Sequence, residues 1–528
     1  MSIINKKTFF LVITFLVICS FSFQGCGCGG DDRAGEKASG RKILRLAIPS
    51  DITTIDPAFS TDVTSGQILS KVYERLVNLD DNMIIKPDLA ETFEISADCK
   101  EFKFTLRRGV LFSDGVTVLN SKMVKDSFER VINPKTASPR ANIFDKIVGY
   151  DEFIAGKTSE IEGLKTNSDY EIVIKIKQPF VPFLYNLSMV PASIVSVKEK
   201  DPIGTGPFFI AQKSDGAKMT LGKNSFYYMK DRIFIDELVY NIIHDENTQI
   251  TSFEIGNIDV LNLSTVNVNN FMVKNGSKYN IHKQPKLNVY YIAFNCANKM
   301  FESEKVRKAL NYAINKEEII KVLMNNTMIP SVGPFPPSLG SFDQKASGYS
   351  FDIDKAKTLL KEANVQNLNI DLYFKSSFEI ENIMQMVKEN LAKVGVNVSL
   401  KKMEWAALKS EIVKGNLPMY YLNWSADYPD SHNFLVPLYH TKNKGAGGNR
   451  AFFSDKSVDD MMDKLEATSN PDEYKKLSQE IQKVIIDKAP WIFLWHEIEY
   501  AASQKNVVNY NVPKIYSMEK FLDVKLTE

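Results

Sequence analysis

The side chains that could carry catalysis or hold a metal are scattered along this chain. The sequence contains no G-x-S-x-G elbow, no H-E-x-x-H zinc helix, no G-x-x-x-x-G-K-[ST] phosphate loop and no G-x-G-x-x-G dinucleotide turn. His432 and His440 are eight residues apart, which is not a metal-ligand spacing on a helix or a strand. His496 and Glu497 begin like a zinc motif, but Tyr500 stands where the second histidine is needed. The sequence therefore argues against an enzyme, and it gives no reason to expect a cofactor or a bound metal.

The cysteines do not form a scaffold either. Five cysteines in 528 residues are too few for a fold built on disulfides. Cys99 and Cys296 lie far apart, each beside a strand-like segment. Two free thiols are the simpler interpretation, and a disulfide between them stays open for an exported protein.

The first residues have the pattern of an export signal. Lys6 and Lys7 precede an apolar run from Phe9 to Phe23, which is short for a membrane span and typical of a secretory signal. The run ends in Phe23-Gln24-Gly25-Cys26, which resembles the lipobox of bacterial lipoproteins, with Phe23 where Leu is usual. We predict a lipoprotein signal over 1–25, lipidation of Cys26 and a flexible tether over 26–40. A plain secretory signal is the alternative.

Composition limits the remaining possibilities. The 65 Lys and Arg residues against 64 Asp and Glu give a net charge of +1, so there is no global field to hold a nucleic acid. The length exceeds what one hydrophobic core supports and predicts roughly two to four domains.

Periodicity predicts a mixture of strands and helices. Strands are expected at 43–48, 100–106 and 171–177, where apolar residues run together or alternate with polar ones. Later amphipathic stripes predict helices around 306–314, with Ser303 as N-cap, 356–363 and 383–391, the last followed by a strand at 396–400. Interleaved helices and strands indicate an α/β protein.

Several segments, taken in order, resemble the extracellular solute-binding proteins of ABC importers, in the large family that binds oligopeptides, dipeptides and nickel complexes. The resemblance extends over nearly all of residues 42–525. Its motifs in this chain are Thr54-Ile55-Asp56-Pro57, Val72-Tyr73-Glu74-Arg75-Leu76, Pro87-Asp88-Leu89-Ala90-Glu91-Thr92, Leu106-Arg107-Arg108-Gly109-Val110, Phe112-Ser113-Asp114-Gly115, Asn133 to Pro139, Gly204-Thr205-Gly206-Pro207-Phe208, Val306 to Ile314 and Trp424-Ser425-Ala426-Asp427-Tyr428.

The resemblance implies an α/β, periplasmic-binding-protein-like fold (type II, cluster C) with two lobes, an extra domain and a ligand cleft between the lobes. The implied limits are 41–80, 190–283 and 498–528 for a discontinuous domain I, 81–189 for domain II and 284–497 for domain III. It also implies a monomer that delivers short peptides to a membrane permease. A nickel-chelate or haem binder on the same fold is the first alternative, and it would need His432, His440 or His496 to converge on the cleft. An exported hydrolase or a surface adhesin is the alternative from another class.

The implied ligand site centres on Asp427, which stands where the family's peptide binders hold the α-ammonium of the ligand. A buried carboxylate without a partner is costly, so this site would favour a free amino terminus. Trp424 and Trp405 are expected to line the same region. Ser425, Ala426 and Tyr428 complete the predicted ligand-binding segment.

The partner of the ligand's carboxylate is a separate prediction. Relatives place an arginine on the strand before the tryptophan, but this chain reads Pro418 to Asn423 there and carries no positive charge. Arg140 replaces a common aromatic residue at a position close to the ligand in relatives. We therefore predict that Arg140 binds the carboxylate through a bidentate pair.

Overall fold

The structure is a computed structural model that describes residues 40–197 and 201–528. The export signal, Cys26 and the tether up to residue 39 lie outside the described residues, so the predictions for them stay predictions. Residues 42–528 form one compact unit.

The described residues contain twenty strands and fourteen α-helices, which confirms the predicted α/β class. The strands are β1 Ile43–Ile48, β2 Val77–Leu79, β3 Ile85–Pro87, β4 Ala90–Ile95, β5 Glu101–Leu106, β6 Leu164–Ser168, β7 Glu171–Lys175, β8 Phe208–Ser214, β9 Lys218–Lys223, β10 Glu237–Ile242, β11 Val260–Leu263, β12 Asn280–Pro285, β13 Asn288–Phe294, β14 Met328–Pro330, β15 Leu368–Lys375, β16 Val396–Met403, β17 Met419–Ser425, β18 Trp491–Ser503, β19 Val507–Val508 and β20 Lys525–Leu526. The helices are Val63–Val72, Ser121–Ile132, Tyr150–Ile154, Phe183–Leu187, Glu246–Glu254, Val268–Asn275, Glu304–Tyr312, Lys316–Leu323, Ile353–Glu362, Phe378–Ala392, Trp405–Lys414, Ser431–Tyr439, Lys456–Ala467 and Pro471–Lys488.

The predicted elements are confirmed where hydrophobic periodicity was clear. Strand β5 buries Phe102, Phe104 and Leu106 on one face, as the alternation requires. Ser303 is the N-cap residue of helix Glu304–Tyr312, but its side chain makes no capping hydrogen bond, so only the position of this prediction was right. Cys99 and Cys296 are both free thiols, which settles the disulfide left open above in favour of the simpler interpretation.

One large mixed sheet runs through most of the chain. Strand β18, with thirteen residues, joins its two halves: Trp491–Trp495 pairs with β13, while Tyr500–Ser503 pairs with β11. The pairs β15/β16, β15/β17, β1/β10 and β1/β11 are parallel and the others are antiparallel. The order of the main path is β16-β15-β17-β13-β18-β11-β1-β10-β9-β8, and β12 and β14 also pair with β18.

A second, four-stranded antiparallel sheet has the order β4-β5-β7-β6. All four strands fall between residues 90 and 175, inside the predicted domain II. The helix Ser121–Ile132 packs on this sheet with Val124, Phe128 and Val131 buried. The predicted domain limits themselves stay a prediction. The limit at 497 and 498 falls within β18, so the strand would belong to two domains.

Candidate functional site

Asp427 lies in the loop between β17 and the helix Ser431–Tyr439. The amide oxygen of Asn433, the third residue of this helix, accepts hydrogen bonds from Asp427 N at 3.1 Å and from Trp424 Nε1 at 3.2 Å. Asp430 caps the helix by accepting from His432 N at 2.7 Å. These hydrogen bonds fix the backbone of the loop and the Trp424 ring. The Asp427 side chain stays half exposed (50%).

Arg140 approaches from the other side. Its backbone N–H donates to Ser138 Oγ at 3.1 Å, and the Ser138 hydroxyl donates to the carbonyl of Ala58 at 2.6 Å. Ser138 therefore connects the Arg140 loop, which lies between β5 and β6 of the small sheet, to the segment between β1 and the helix Val63–Val72. The Arg140 side chain is 23% exposed.

The two predicted charges meet. Arg140 Nη2 lies 3.9 Å from Asp427 Oδ1, a partly exposed ion pair between two distant parts of the chain. Arg140 Nε is buried and has no hydrogen-bond partner among the described residues. The guanidinium therefore has donor capacity that Asp427 does not use.

Tyr428, the residue after Asp427, contacts both the small-sheet region and the helix Ser431–Tyr439. Its buried ring belongs to the apolar cluster of the small-sheet region and stacks on Tyr185, with 6.2 Å between ring centroids. Its hydroxyl lies 2.8 Å from His432 Nδ1, and His432 Nε2 lies 3.0 Å from Glu466 Oε1. Burial raises the pKa of Glu466, but the hydrogen bonds from His432 and Lys442 outweigh it and hold that pKa at about 2.

The other predicted site residues occupy different environments. Trp424 is half-buried, Ser425 is exposed at the end of β17, and Ala426 N donates to the carbonyl of Leu287 at 2.8 Å. Trp405 is 43% exposed at the first position of its helix. Within the described residues, no hydrogen bond or ring contact joins Trp405 to the segment 424–428. A role in ligand binding stays a prediction for each of these residues.

Tyr516 is a neighbour of the charged pair that sequence reasoning missed. Its half-buried ring lies on Gly66 of the helix Val63–Val72, where a Cβ would come within 2.4 Å of Cε2 of the ring. Burial raises the pKa of Tyr516, and the charges of Arg140 and Asp427 act on that pKa in opposite directions. The residue comes from a C-terminal segment that carries no motif, so no sequence signal pointed to it.

The histidines do not converge. His432 is occupied at both ring nitrogens as described, and His440 Nε2 lies 3.1 Å from Asp463 Oδ1. His496 is fully buried, with Nδ1 2.6 Å from the carbonyl oxygen of Asn288, and burial lowers the pKa of His496 to about 4. No group of three or more His, Cys, Asp or Glu side chains suited to a metal ion occurs in the described part of the chain.

Three of the family-like motifs, those that contain Glu74, Asp88 and Thr205, meet in a buried charged network. Lys520 Nζ contacts Glu74 Oε1 and Asp88 Oδ1, each at 2.7 Å. Thr205 and Tyr227 donate to the Glu74 carboxylate at 3.2 and 2.9 Å. Burial raises the pKa of Glu74 to about 7. Burial also raises the pKa of Asp88, but the positive charge of Lys520 outweighs that effect and the net shift is downward.

Gly204 and Gly206 flank Thr205 and let this segment pack closely against the backbone of Val72 and Lys71, next to the network. At Gly204, a Cβ would lie 2.1 Å from the carbonyl oxygen of Val72, and at Gly206 it would lie 2.4 Å from that of Lys71. Only glycine allows such an approach of two backbones. The motif was interpreted from sequence as a turn, and the close packing explains its glycines.

Comparison with known proteins identifies the class. A profile described as bacterial extracellular solute-binding proteins, family 5 (middle), matches residues 85–446. The relatives include heme-binding protein A of Haemophilus influenzae, 30% identical with 96% of each chain covered. Glutathione-binding protein GsiB of Salmonella choleraesuis is 28% identical, over 89% of this chain and 92% of that protein. A solved structure of the periplasmic binding protein DppA of Helicobacter pylori, in complex with the peptide STSA, superposes with a TM-score of 0.75 at 26% identity, covering 93% of this chain and 100% of that one.

These matches define a solute-binding protein of an ABC importer. The chain belongs to the bacterial extracellular solute-binding proteins of family 5. The predicted family and fold are confirmed, and membership of an extracellular family makes this an exported protein. The relatives named above are binding proteins. No helix in the described ranges is long and apolar enough to cross a membrane.

Proposed function

We propose that the protein captures short peptides with a free amino terminus and delivers them to the permease of an ABC importer. The observation that carries this proposal is the half-exposed carboxylate of Asp427, which meets Arg140 where the small-sheet region adjoins the large sheet. Asp427 binds the ammonium group of the ligand, and Arg140 binds a carboxylate.

Capture uses closure of two lobes. A ligand that contacts both sides of the junction favours the closed state, because only that state offers both partners at once. Trp424, Trp405, Ser425, Ala426 and Tyr428 form the walls around the ligand in this proposal. Water in the side-chain pockets adapts its hydrogen bonds and so tolerates different sequences.

The remaining parts of the proposal follow from export. Cys26 carries the lipid anchor that holds the protein at the outer face of the cytoplasmic membrane, and residues 26–40 serve as the tether. The protein acts as a monomer, without a cofactor, and its membrane partner is the permease.

Haem is the second candidate ligand, because a relative named for haem binding is 30% identical over 96% of the chain. Haem carries two carboxylates and no ammonium group. A haem site on this fold would use the Arg140 cation and would leave Asp427 without a role. The two candidates therefore predict different effects of Asp427 substitutions: loss of binding for a peptide and little change for haem.

Native mass spectrometry of the purified protein tests the proposal. Solute-binding proteins that retain cargo release it as discrete added masses on activation. We expect a mixture of masses that fragment as short peptides. A single added mass that matches haem, with its absorption in the visible spectrum, would contradict the peptide assignment and support the second candidate.

A further inference from the structure

Within the described residues, two neighbouring segments carry the chain between the two halves of the large sheet. The chain first crosses between β12 and β13, and it returns within β18. Both β12 and β13 pair with β18, so the two crossings lie side by side. Because hinge motion is absorbed by the few residues that connect the moving parts, a closing motion of the two halves bends the chain at these crossings.

The strand pairing is irregular at the crossings. From Pro285 to Tyr290 the chain advances five residues. Their partners on β18, Ile498 and Trp495, are only three positions apart. The extra residues form a bulge, and a bulge bends a strand and interrupts its ladder of hydrogen bonds. The bending point of this ribbon therefore lies at the bulge, which contains Lys286.

The ammonium group of Lys286 bridges two carboxylates of β18 at this bend. Its Nζ lies 3.5 Å from Glu497 Oε1 and 3.6 Å from Glu499 Oε2, and all three side chains are partly buried. Residues two positions apart on a strand share a face, so one lysine can reach both. Burial lowers the pKa of Lys286, but the charges of Glu499 and Glu497 outweigh burial and raise that pKa, so the bridge is charged.

The two carboxylates are held from opposite sides of the bulge. Glu497 Oε2 accepts a hydrogen bond at 2.9 Å from Nδ2 of Asn288, the first residue of β13. Glu499 pairs with Gln284 of β12, next to the part of β18 that pairs with β11. A change in the angle of the bend therefore changes the separation of the two carboxylates, and the Lys286 bridge favours the angle seen in this structure.

At this angle the two predicted ligand-binding charges meet. Asp427 follows β17, which pairs with β13 in one half of the sheet. Arg140 is connected through Ser138 to Ala58, which follows β1 in the other half. The ion pair between Arg140 and Asp427 therefore spans the two halves, as a closed cleft requires.

We propose that Lys286 is a positioning residue of the ligand site, which holds the two halves through Glu497 and Glu499 at the angle that brings Arg140 and Asp427 together. Lys286 acts through the bend and not by contact with the ligand. This proposal rests on the proposed function, in which two lobes that contain these halves close around the ligand. Because the ligand binds the closed state, a smaller closed population lowers the apparent affinity in proportion.

Small-angle X-ray scattering and isothermal titration of Lys286→Met test this role. The radius of gyration of the ligand-free protein should exceed that of the wild type, because the halves separate more often. The Kd for tri-alanine should rise at least about threefold. Glu499→Gln should act in the same direction, because it removes one end of the bridge. Lys286→Arg keeps the cation and should stay close to the wild type in both measurements.

Lys283→Met is the matched control, since it removes an exposed lysine from β12. It should change neither quantity. An unchanged radius of gyration or an unchanged Kd in a Lys286→Met protein with a normal melting transition would overturn this proposal, and so would equal effects of Lys283→Met or Lys286→Arg. If neither tri-alanine nor a mixture of short peptides binds to the wild type, the proposed function is overturned, whereas the radius of gyration of Lys286→Met still decides whether the bridge sets the angle.

Discussion

Arg140 Nη2 and Asp427 Oδ1 lie 3.9 Å apart, although one residue lies between strands β5 and β6 of the small sheet and the other directly follows β17 of the large sheet. The pair is partly open to solvent, with exposed fractions of 23% and 50%. Water and ions screen such a pair, so it contributes little to stability and is free to exchange partners.

Arg140→Ala should therefore hardly change the stability of the ligand-free protein. We expect the free energy of unfolding in urea to fall by less than about 1 kcal/mol, because exposed ion pairs are worth that much at most. Asp427→Asn should behave similarly. A loss of several kcal/mol in either variant would mean that the pair holds the fold together and would contradict its role as an exchangeable site.

Lys520 has the opposite character. It is almost fully buried between Glu74 and Asp88, so Lys520→Met removes the one ammonium group that contacts both of these buried carboxylates in the described part of the chain. We expect a loss of about 3–5 kcal/mol in the free energy of unfolding, measured by urea denaturation.

The control for this variant is Lys505→Met. Lys505 is exposed, and its ammonium group donates a hydrogen bond to Asn280 Oδ1 at 3.2 Å, so its removal should change stability by about 0.5 kcal/mol or less. The double variant Glu74→Gln/Lys520→Met should recover part of the loss, because one uncompensated charge is gone. A Lys520→Met protein as stable as the control would show that the network is not a buried ion cluster.

The buried imidazole of His496 predicts a pH dependence. Burial lowers the pKa of His496 to about 4, whereas an unfolded histidine titrates near 6.5. Between these values the unfolded state binds a proton that the folded state does not. The free energy of unfolding should therefore fall as the pH drops from 6.5 to 4, by up to about 3 kcal/mol from this residue.

Urea denaturation at several pH values in this window, for the wild type and for His496→Leu, isolates the contribution. The variant loses the bond to Asn288, but its stability should depend less steeply on pH. His244→Gln, which replaces an exposed histidine, should keep the wild-type slope. Equal slopes in all three proteins would contradict a neutral, buried His496.

Much of the local structure could be predicted from sequence, since β1, β5 and β7 carry their burial pattern in consecutive residues. Strand β18 could not, because its thirteen residues satisfy two different sets of neighbours and its pattern is uniformly apolar over Trp491–Trp495. At the site, ordered motifs indicated Asp427 and Arg140. The distance between Arg140 and Asp427 depends on the tertiary structure and could not be predicted from either segment alone.

The packing of Tyr516 on Gly66 gives a further prediction. Gly66→Ala would normally stabilise a helix by about 1 kcal/mol, but here the added methyl group overlaps the Tyr516 ring. We expect Gly66→Ala to destabilise the protein. In a Tyr516→Ala background the same substitution should stabilise it, as measured by thermal unfolding of the four proteins in the cycle. Stabilisation in both backgrounds would contradict the close packing of the ring on the helix.

In the proposed function, Asp427 recognises the free amino terminus of a peptide. The most direct test is calorimetric titration of one short peptide, free and N-acetylated, into the wild type and Asp427→Asn. We expect the wild type to bind the free peptide at least about 100-fold more tightly than the acetylated one, since a charge-assisted bond and the pairing of a carboxylate are both lost on acetylation. In Asp427→Asn this preference should largely disappear. Equal binding of the two peptides by the wild type, or an undiminished preference in Asp427→Asn, would show that Asp427 does not recognise the amino terminus.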